Sequence, residues 1–427
     1  MGQPFSLTLY RWSVLAATSL LYLYLLVRRQ RGKEDPARWG ERLGHASQSR
    51  PAGPLVWFHA ASVGEALSIL SLLERFRNAR PDVSVLVTTG TVTSARLMAQ
   101  RLPPCTIHQY APVDHPRVVR RFLDYWAPQM AVWVESELWP GILGEIRKRN
   151  IPAVLVNGRI SARSTRRWKG FAPGLARWLS GSFRQILAQN EDYAENFRRL
   201  GTMQVEAVPS LKYDTPLLPC DPVALEALKA AIGGRPTWLL ASSHAGEETL
   251  AAAAHSTLKS RWPGFLTVIV PRHPQRGTTI AESLSARGLH ITRRSTDGLP
   301  GSQTDIYIAD TLGELGLFFR LVPVVCMGNS LVPPGGGHNP VEPLQLDSCV
   351  LYGPWMGNFP DMATAMEGAG ATIRLKSADD LAETVHRLLG DGAGRERLTE
   401  AGRNFLARQA QGTDRTLQVL LSALESL

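Results

Sequence analysis

Ten short apolar runs, separated by segments of helical period, constrain this chain more than any other feature of its 427 residues. In the first half they are LVWFHA (55–60), VSVLVTT (83–89), MAVWV (130–134), AVLVN (153–157) and QILAQ (185–189). In the second they are TWLLASS (237–243), FLTVIVP (265–271), DIYIAD (305–310), VPVVCM (322–327) and SCVLYG (348–353). Near-continuous apolar runs belong to strands buried on both faces, and strands alternating with helices build parallel sheets. Helical patterns such as 66–76 and 138–149 lie between them. The rhythm breaks into the proline-rich VPSLKYDTPLLPCDP, so a hinge is expected over 209–222. The first strand-to-helix turns of the two halves, FHAASVGEALSILSLL and LASSHAGEETLAAAAH, echo each other. The expectation is an α/β chain of two Rossmann-like domains facing a cleft, at 34–208 and 223–394. A helical segment at 395–427 is expected to pack back on the first domain.

Ahead of the first strand, 7–27 is almost wholly apolar, and 12–27 carries no charge. A spanning helix needs about 17–25 residues, so one N-terminal membrane-anchor helix is expected within 1–33, with Arg11 at the interface. Arg28, Arg29, Arg31 and Lys33 follow it, a bias that places the body on the cytoplasmic side of the membrane. RRQRGK after Val27 is no cleavage site, which favours an uncleaved anchor over a signal peptide. A helix lying in one leaflet stays open as the alternative. The net charge of +10 favours phosphorylated substrates or acidic lipid headgroups. No zinc-finger, RNP or basic-zipper pattern points to nucleic acid. Cys105, Cys220, Cys326 and Cys349 are too scattered for a disulfide framework or a zinc site.

Several motifs fall where strands end. MGNSLVPPGGGHNPVEP (327–343) reads as a nucleotide pocket. Gly335, Gly336 and Gly337 let a ligand approach main-chain N–H groups, Asn339 caps a helix with Pro340 in its first turn, and Glu342 is placed for a ribose hydroxyl pair. Ser62-Val-Gly-Glu65 is a capping box, and equally a carboxylate at the sheet's carboxyl edge able to deprotonate an alcohol. Gly64 favours the second reading, because a helix's first turn has little need of glycine unless something approaches closely. In ESELWP (135–140) two acids sit at another strand end, of which Glu137, beside Trp139, is the functional choice. Arg159, Arg163, Arg166, Arg167 and Lys169 crowd thirteen residues interleaved with aromatics, either as a solvated face or as contacts to a phosphorylated lipid. Arg272 in PRHPQR is suited to a phosphate or carboxylate. Ser243, His244 and Gly246 offer hydroxyl and N–H groups to a phosphate at a helix start. Thr311 to Glu314 opens a helix ending at Phe319. No H-x-x-x-H, D-x-D or Cys/His cluster indicates a metal, and none is expected.

Taken together, HAASVGE, ESELWP, NGRIS, PSLKYD, ASSHAGEE, PRHPQR, DTLGELGLF and GNSLVPPGGGHNPVEP resemble the 3-deoxy-D-manno-octulosonic acid (Kdo) transferases of Gram-negative bacteria. The resemblance runs in order from the N-terminal segment to about residue 390 and implies a GT-B glycosyltransferase fold. It implies inverting transfer of Kdo from CMP-Kdo to the phosphorylated lipid A precursor at the cytoplasmic face of the inner membrane, with no cofactor. By the same resemblance Glu65 is the proton acceptor, and Glu137 and Lys212 stabilise the transition state. Pro271-Arg272, Leu312-Gly313-Glu314 and Asn339-Pro340-Val341-Glu342 match the segments that contact CMP. The alternatives are a GT-B transferase using a UDP-sugar, and a non-catalytic membrane-tethered nucleotide or lipid-binding protein. Thermal protection by CMP but not UDP separates the donors.

Overall fold

The computed structural model describes residues 3–135 and 138–426. The chain forms two compact units, Met1–Thr215 with Arg408–Leu427, and Pro216–Ala407. Unit 1 holds β1 (Leu55–His59), β2 (Ser84–Thr89), β3 (Thr106–Tyr110), β4 (Met130–Val134), β5 (Ala153–Gly158), β6 (Gln185–Ala188) and β7 (Val205–Ala207). Unit 2 holds β8 (Thr237–Ser243), β9 (Leu266–Pro271), β10 (Ile291–Arg293), β11 (Ile306–Ile308), β12 (Val324–Met327), β13 (Cys349–Tyr352) and β14 (Thr372–Arg374). The strand orders are β3-β2-β1-β4-β5-β6-β7 and β10-β11-β9-β8-β12-β13-β14, and the pairings within each sheet are parallel.

The four strands that the apolar runs did not reveal, β3, β7, β10 and β14, are the four sheet edges. An edge strand has one neighbour and less cover, so its sequence need not be apolar throughout. Accordingly β7 (VEA) and β10 (ITR) are only half-buried, whereas β1, β4, β8 and β12 are buried at every residue. In each sheet the chain reverses its direction of travel beside the first strand, between β1 and β4 and between β8 and β12. Doubly wound sheets bind ligands at the carboxyl ends of strands flanking such a point. Beneath that edge in unit 1, Trp57 packs on Trp133 and Phe122, with ring centroids 5.3 and 4.8 Å away.

The segment expected as a single membrane-anchor helix is instead two helices, Phe5–Ala16 and Thr18–Gln30, bent by 62°. Among the described residues no single helix is long and apolar enough to cross a membrane. Tertiary contacts explain the break. Tyr10 donates to Asp114 (2.7 Å), Arg11 pairs with Glu145 (3.3 Å), and Thr18 meets His115 (3.1 Å), while Leu7 and Leu25 are buried. Asp114 also accepts from Gly141 N (2.9 Å) and Ile142 N (2.6 Å), so one carboxylate caps the helix Pro140–Lys148 and seats the first N-terminal helix. The opposite face stays apolar and exposed at Phe5, Leu9 and Trp12.

The helix expected over 66–76 is divided at Ile69 into Val63–Ser68 and Leu70–Ala79. At the other end of the chain, Gly392–Glu425 forms one helix, whose Val419, Leu420 and Ala423 join Val154, Val208 and Leu211 in the unit 1 core.

Candidate active site

At the carboxyl end of β1 the capping box is complete. Ser62 Oγ accepts from Glu65 N (3.3 Å) and donates to Glu65 Oε1 (3.1 Å), and Glu65 Oε2 accepts from Ala61 N (2.7 Å). Glu65 is 7% exposed, its carboxylate turned back over the helix start. Gly64 is exposed, and a Cβ placed on it meets nothing within 4 Å. The chain therefore has no steric need for glycine there, and the space over Gly64 is open. His59 from the same motif is fully buried between Trp133 and Trp139 and bonds Thr88 at 2.9 Å. Burial, with the Arg42 charge adding, pushes its pKa down to about 3, so it serves the core.

At the end of β4, Glu135 adopts a left-handed φ of +59° and takes Lys212 Nζ at 2.5 Å. Lys212 rides on the short turn Leu211–Tyr213, docked on Asn157 of β5. Asn157 Oδ1 accepts from Ser210 Oγ (2.9 Å) and Leu211 N (3.2 Å), and Asn157 itself has φ +55°. Left-handed, non-glycine residues at two adjacent strand ends are costly and typical of functional sites. Glu135 is the residue that sequence reasoning passed over, although the doubled acid of ESE was its signal. Glu137 lies outside the described residues. Arg159 meets the Tyr193 hydroxyl at 3.1 Å, while Arg163, Arg166, Arg167 and Lys169 stand exposed on the helix Ala162–Phe171.

In unit 2 the echo of the first turn is built differently. Glu247, fully buried, accepts from His244 N (2.9 Å), Asn329 N (2.7 Å), Ser330 N (2.9 Å) and Leu331 N (3.0 Å). These N–H groups are thus spent on a carboxylate of the protein. Ser243, expected to face a phosphate, is also fully buried, and its hydroxyl donates to Glu248 at 2.7 Å. Gly246 is exposed with φ +95°, where only glycine sits without strain.

The glycine loop also departs from expectation. Gly336 N and Gly337 N donate to the Asn329 carbonyl, at 2.8 and 2.6 Å. A Cβ on Gly336 would approach Asn358 to 2.5 Å, and one on Gly337 would approach Met356 to 2.3 Å. The glycines therefore admit another stretch of the protein, and these two N–H groups are not left for a ligand.

What the loop does present is His338, whose Nε2 lies 3.1 Å from Nε2 of His244. His273 stacks edge-on to His244 at 6.1 Å, and exposed Arg272, its main chain tied to the Ser243 carbonyl, completes a corner at the ends of β8, β9 and β12. Burial first, then His244, Arg272 and His273, push the His338 pKa down to about 4. Burial likewise lowers His244, against the pull of Glu247. Two neutral rings beside a guanidinium form a corner where a nearby anion would favour uptake of a proton from solvent by a ring. Sequence reasoning named His244 and missed His338, which followed the glycines in plain view.

Pro271, ending β9, is buried. Glu314 precedes the helix Leu315–Leu321, which runs past the expected end at Phe319, and its carboxylate is gripped by Arg294 Nη2 (2.5 Å) and Nε (2.6 Å). Leu312 is 82% exposed and Gly313 has φ +83°. Asn339 Oδ1 accepts from Val341 N at 3.1 Å, opening the short helix Val341–Leu344 that carries half-buried Glu342. Pro340 sits at the cap of that helix.

A family model described as 3-deoxy-D-manno-octulosonic-acid transferase (kdotransferase) matches residues 37–215. The 3-deoxy-D-manno-octulosonic acid transferase of Rickettsia bellii is 30% identical over 403 residues, covering 94% of this chain and 96% of that protein. Its counterpart in Bordetella pertussis is 33% identical over 422 residues, covering 95% and 96%. A glycosyltransferase structure from Rickettsia africae superimposes with a TM-score of 0.55 at 12% identity, covering 88% of this chain and 99% of that one, which shows a shared two-sheet α/β fold of GT-B type. With sequence likeness spanning nearly the full length of both chains, this protein belongs to the 3-deoxy-D-manno-octulosonic acid transferase family.

Proposed function

We propose that this protein transfers Kdo from CMP-Kdo to the phosphorylated lipid A precursor of lipopolysaccharide, with inversion at the anomeric carbon. The observation that carries the reading is the corner of Arg272, His244 and His338. CMP-Kdo brings two anionic groups, a phosphodiester and the sugar carboxylate, and this corner is built to gain charge as anions arrive. Pro271, the Leu312–Glu314 turn and the Asn339–Glu342 helix start border the strand ends of the same sheet and hold the rest of the donor.

In unit 1, Glu65 receives the acceptor hydroxyl's proton as its oxygen forms the new bond to the anomeric carbon. The bond from that carbon to the phosphate oxygen breaks, and CMP leaves with the electron pair. Gly64 gives the acceptor room to reach the carboxylate. Lys212, oriented by Glu135, and Glu137 offset charge in the transition state. The cations Arg159 to Lys169 meet the acceptor's phosphates. No metal is required in this scheme, because a leaving monophosphate is balanced by side-chain cations. The bent N-terminal pair lies in the cytoplasmic leaflet of the inner membrane. Phe5, Leu9 and Trp12 point into it, and Arg28 to Lys33 meet anionic headgroups.

The test is mass spectrometry of the glycolipid made by purified protein from a defined phosphorylated acceptor, with CMP-Kdo or a UDP-sugar as donor and EDTA present. Addition of Kdo from CMP-Kdo alone is the expected result. Transfer from the UDP-sugar, or none from either donor, sinks the reading.

A further inference from the structure

Unit 1 contains a second concavity, of about 560 Å³, beside the first N-terminal helix. Its walls include Tyr10, Pro140, Arg167, Trp168, Phe171, Ala172 and Leu175. The size falls within the range of small-ligand sites, and the lining is chiefly aromatic and aliphatic. The Tyr10 hydroxyl is turned away to Asp114, so the ring alone faces the space. Phe171 is 94% exposed at the rim, an arrangement that leaves a large ring in water unless an apolar group covers it. Arg163, Arg166 and Lys169 stand exposed along the same helix as Trp168, and none forms an ion pair among the described residues. Pro140, also in the lining, is the first residue of the helix that follows the acid-bearing end of β4.

We infer that this groove holds one acyl chain of the phosphorylated lipid acceptor, with the neighbouring cations on its phosphates. An apolar slot flanked by unpaired cations matches a molecule that joins acyl chains to phosphates, and matches neither a free sugar phosphate nor a peptide. This inference rests on the reading of the protein as a transferase acting on such a lipid. It adds a specificity element: the enzyme distinguishes acylated from deacylated acceptor through residues remote from the reacting hydroxyl.

The experiment measures kcat/KM in detergent micelles for a tetra-acylated phosphorylated disaccharide and for its deacylated form. Wild type is compared with Ala172→Trp, which fills the groove, and with Phe171→Ser, which opens its rim at an exposed position where folding is not at stake. The expected result is that preference for the acylated acceptor falls at least tenfold in Ala172→Trp and about threefold in Phe171→Ser, through KM. Preference retained in both variants overturns the proposal. So does a lost preference accompanied by an equal loss of binding to acceptor-free phosphatidylethanolamine/phosphatidylglycerol vesicles, which assigns the groove to the bilayer. If wild type fails to transfer Kdo to either acceptor, the functional reading itself has failed.

Discussion

The turns after β1 and β8 carry nearly the same sequence, Ser-Val-Gly-Glu65 and His-Ala-Gly-Glu247, and use it for opposite purposes. Glu65 folds back on its own helix start, where its carboxylate accepts from Ala61 N and Ser62 Oγ in the capping box. Glu247 passes beyond its own turn to the main chain after β12, where it takes three successive N–H groups from Asn329, Ser330 and Leu331. The difference arises because β12 ends beside β8 and delivers a loop onto the acid, whereas beside Glu65 the space at Gly64 is open. An acid that ties two loops together and an acid that caps its own helix are thus separated by what a neighbouring strand brings, not by local sequence.

That contrast can be broken most directly at Glu247. Alanine there leaves the buried Ser330 and Leu331 N–H groups without acceptors, at roughly 1–3 kcal/mol each, so a loss of roughly 2–6 kcal/mol is expected in denaturant unfolding. Glu65→Ala should do the reverse: about 1 kcal/mol of stability for a lost cap, but roughly 10²–10⁴-fold in turnover with CMP affinity kept. Equal stability losses in the two variants would erase the distinction.

A smaller effect separates the histidines of the two edges. His59 is held neutral down to about pH 3, while the unfolded ring titrates near 6.5. The unfolded state therefore binds the proton first. Stability falls as pH drops below about 6.5 and continues to fall toward 3, by roughly 1.4 kcal/mol per unit for this ring. His59→Gln should flatten that slope in melts at pH 7 and 5.5, and CMP should leave it unchanged. The smallest change is Gly64→Ala, which should add up to about 1 kcal/mol through helix propensity while slowing turnover on the order of tenfold. Unaltered turnover in this variant would show that the open space at Gly64 serves nothing.

The interior of both sheets was legible because a strand covered on two faces must be apolar along its length, as TWLLASS and MAVWV are. The edges were illegible for the complementary reason, since ITR and VEA carry no such demand. Among site residues, Lys212 and the doubled acid of ESE were visible as types. Their pairing through Glu135 required the Asn157 contact that docks the lysine turn, some fifty positions away along the chain. The three glycines were legible as a demand for closeness, but the body that comes close is Trp355 to Asn358 of the same chain.

By itself, then, the sequence determined features governed by neighbours in the chain: interior strands, caps, and the placement of reactive groups at strand ends. Tertiary structure alone decided which acid became a fastener, which lysine found which carboxylate, and that 7–27 bends at Ala17 instead of running straight. Those outcomes depend on groups such as Asp114, Asn157 and the loop after β12, brought alongside only by the folded chain. A hydrogen bond between distant residues leaves no periodicity to read, because its geometry is fixed by the packing of the elements that carry them.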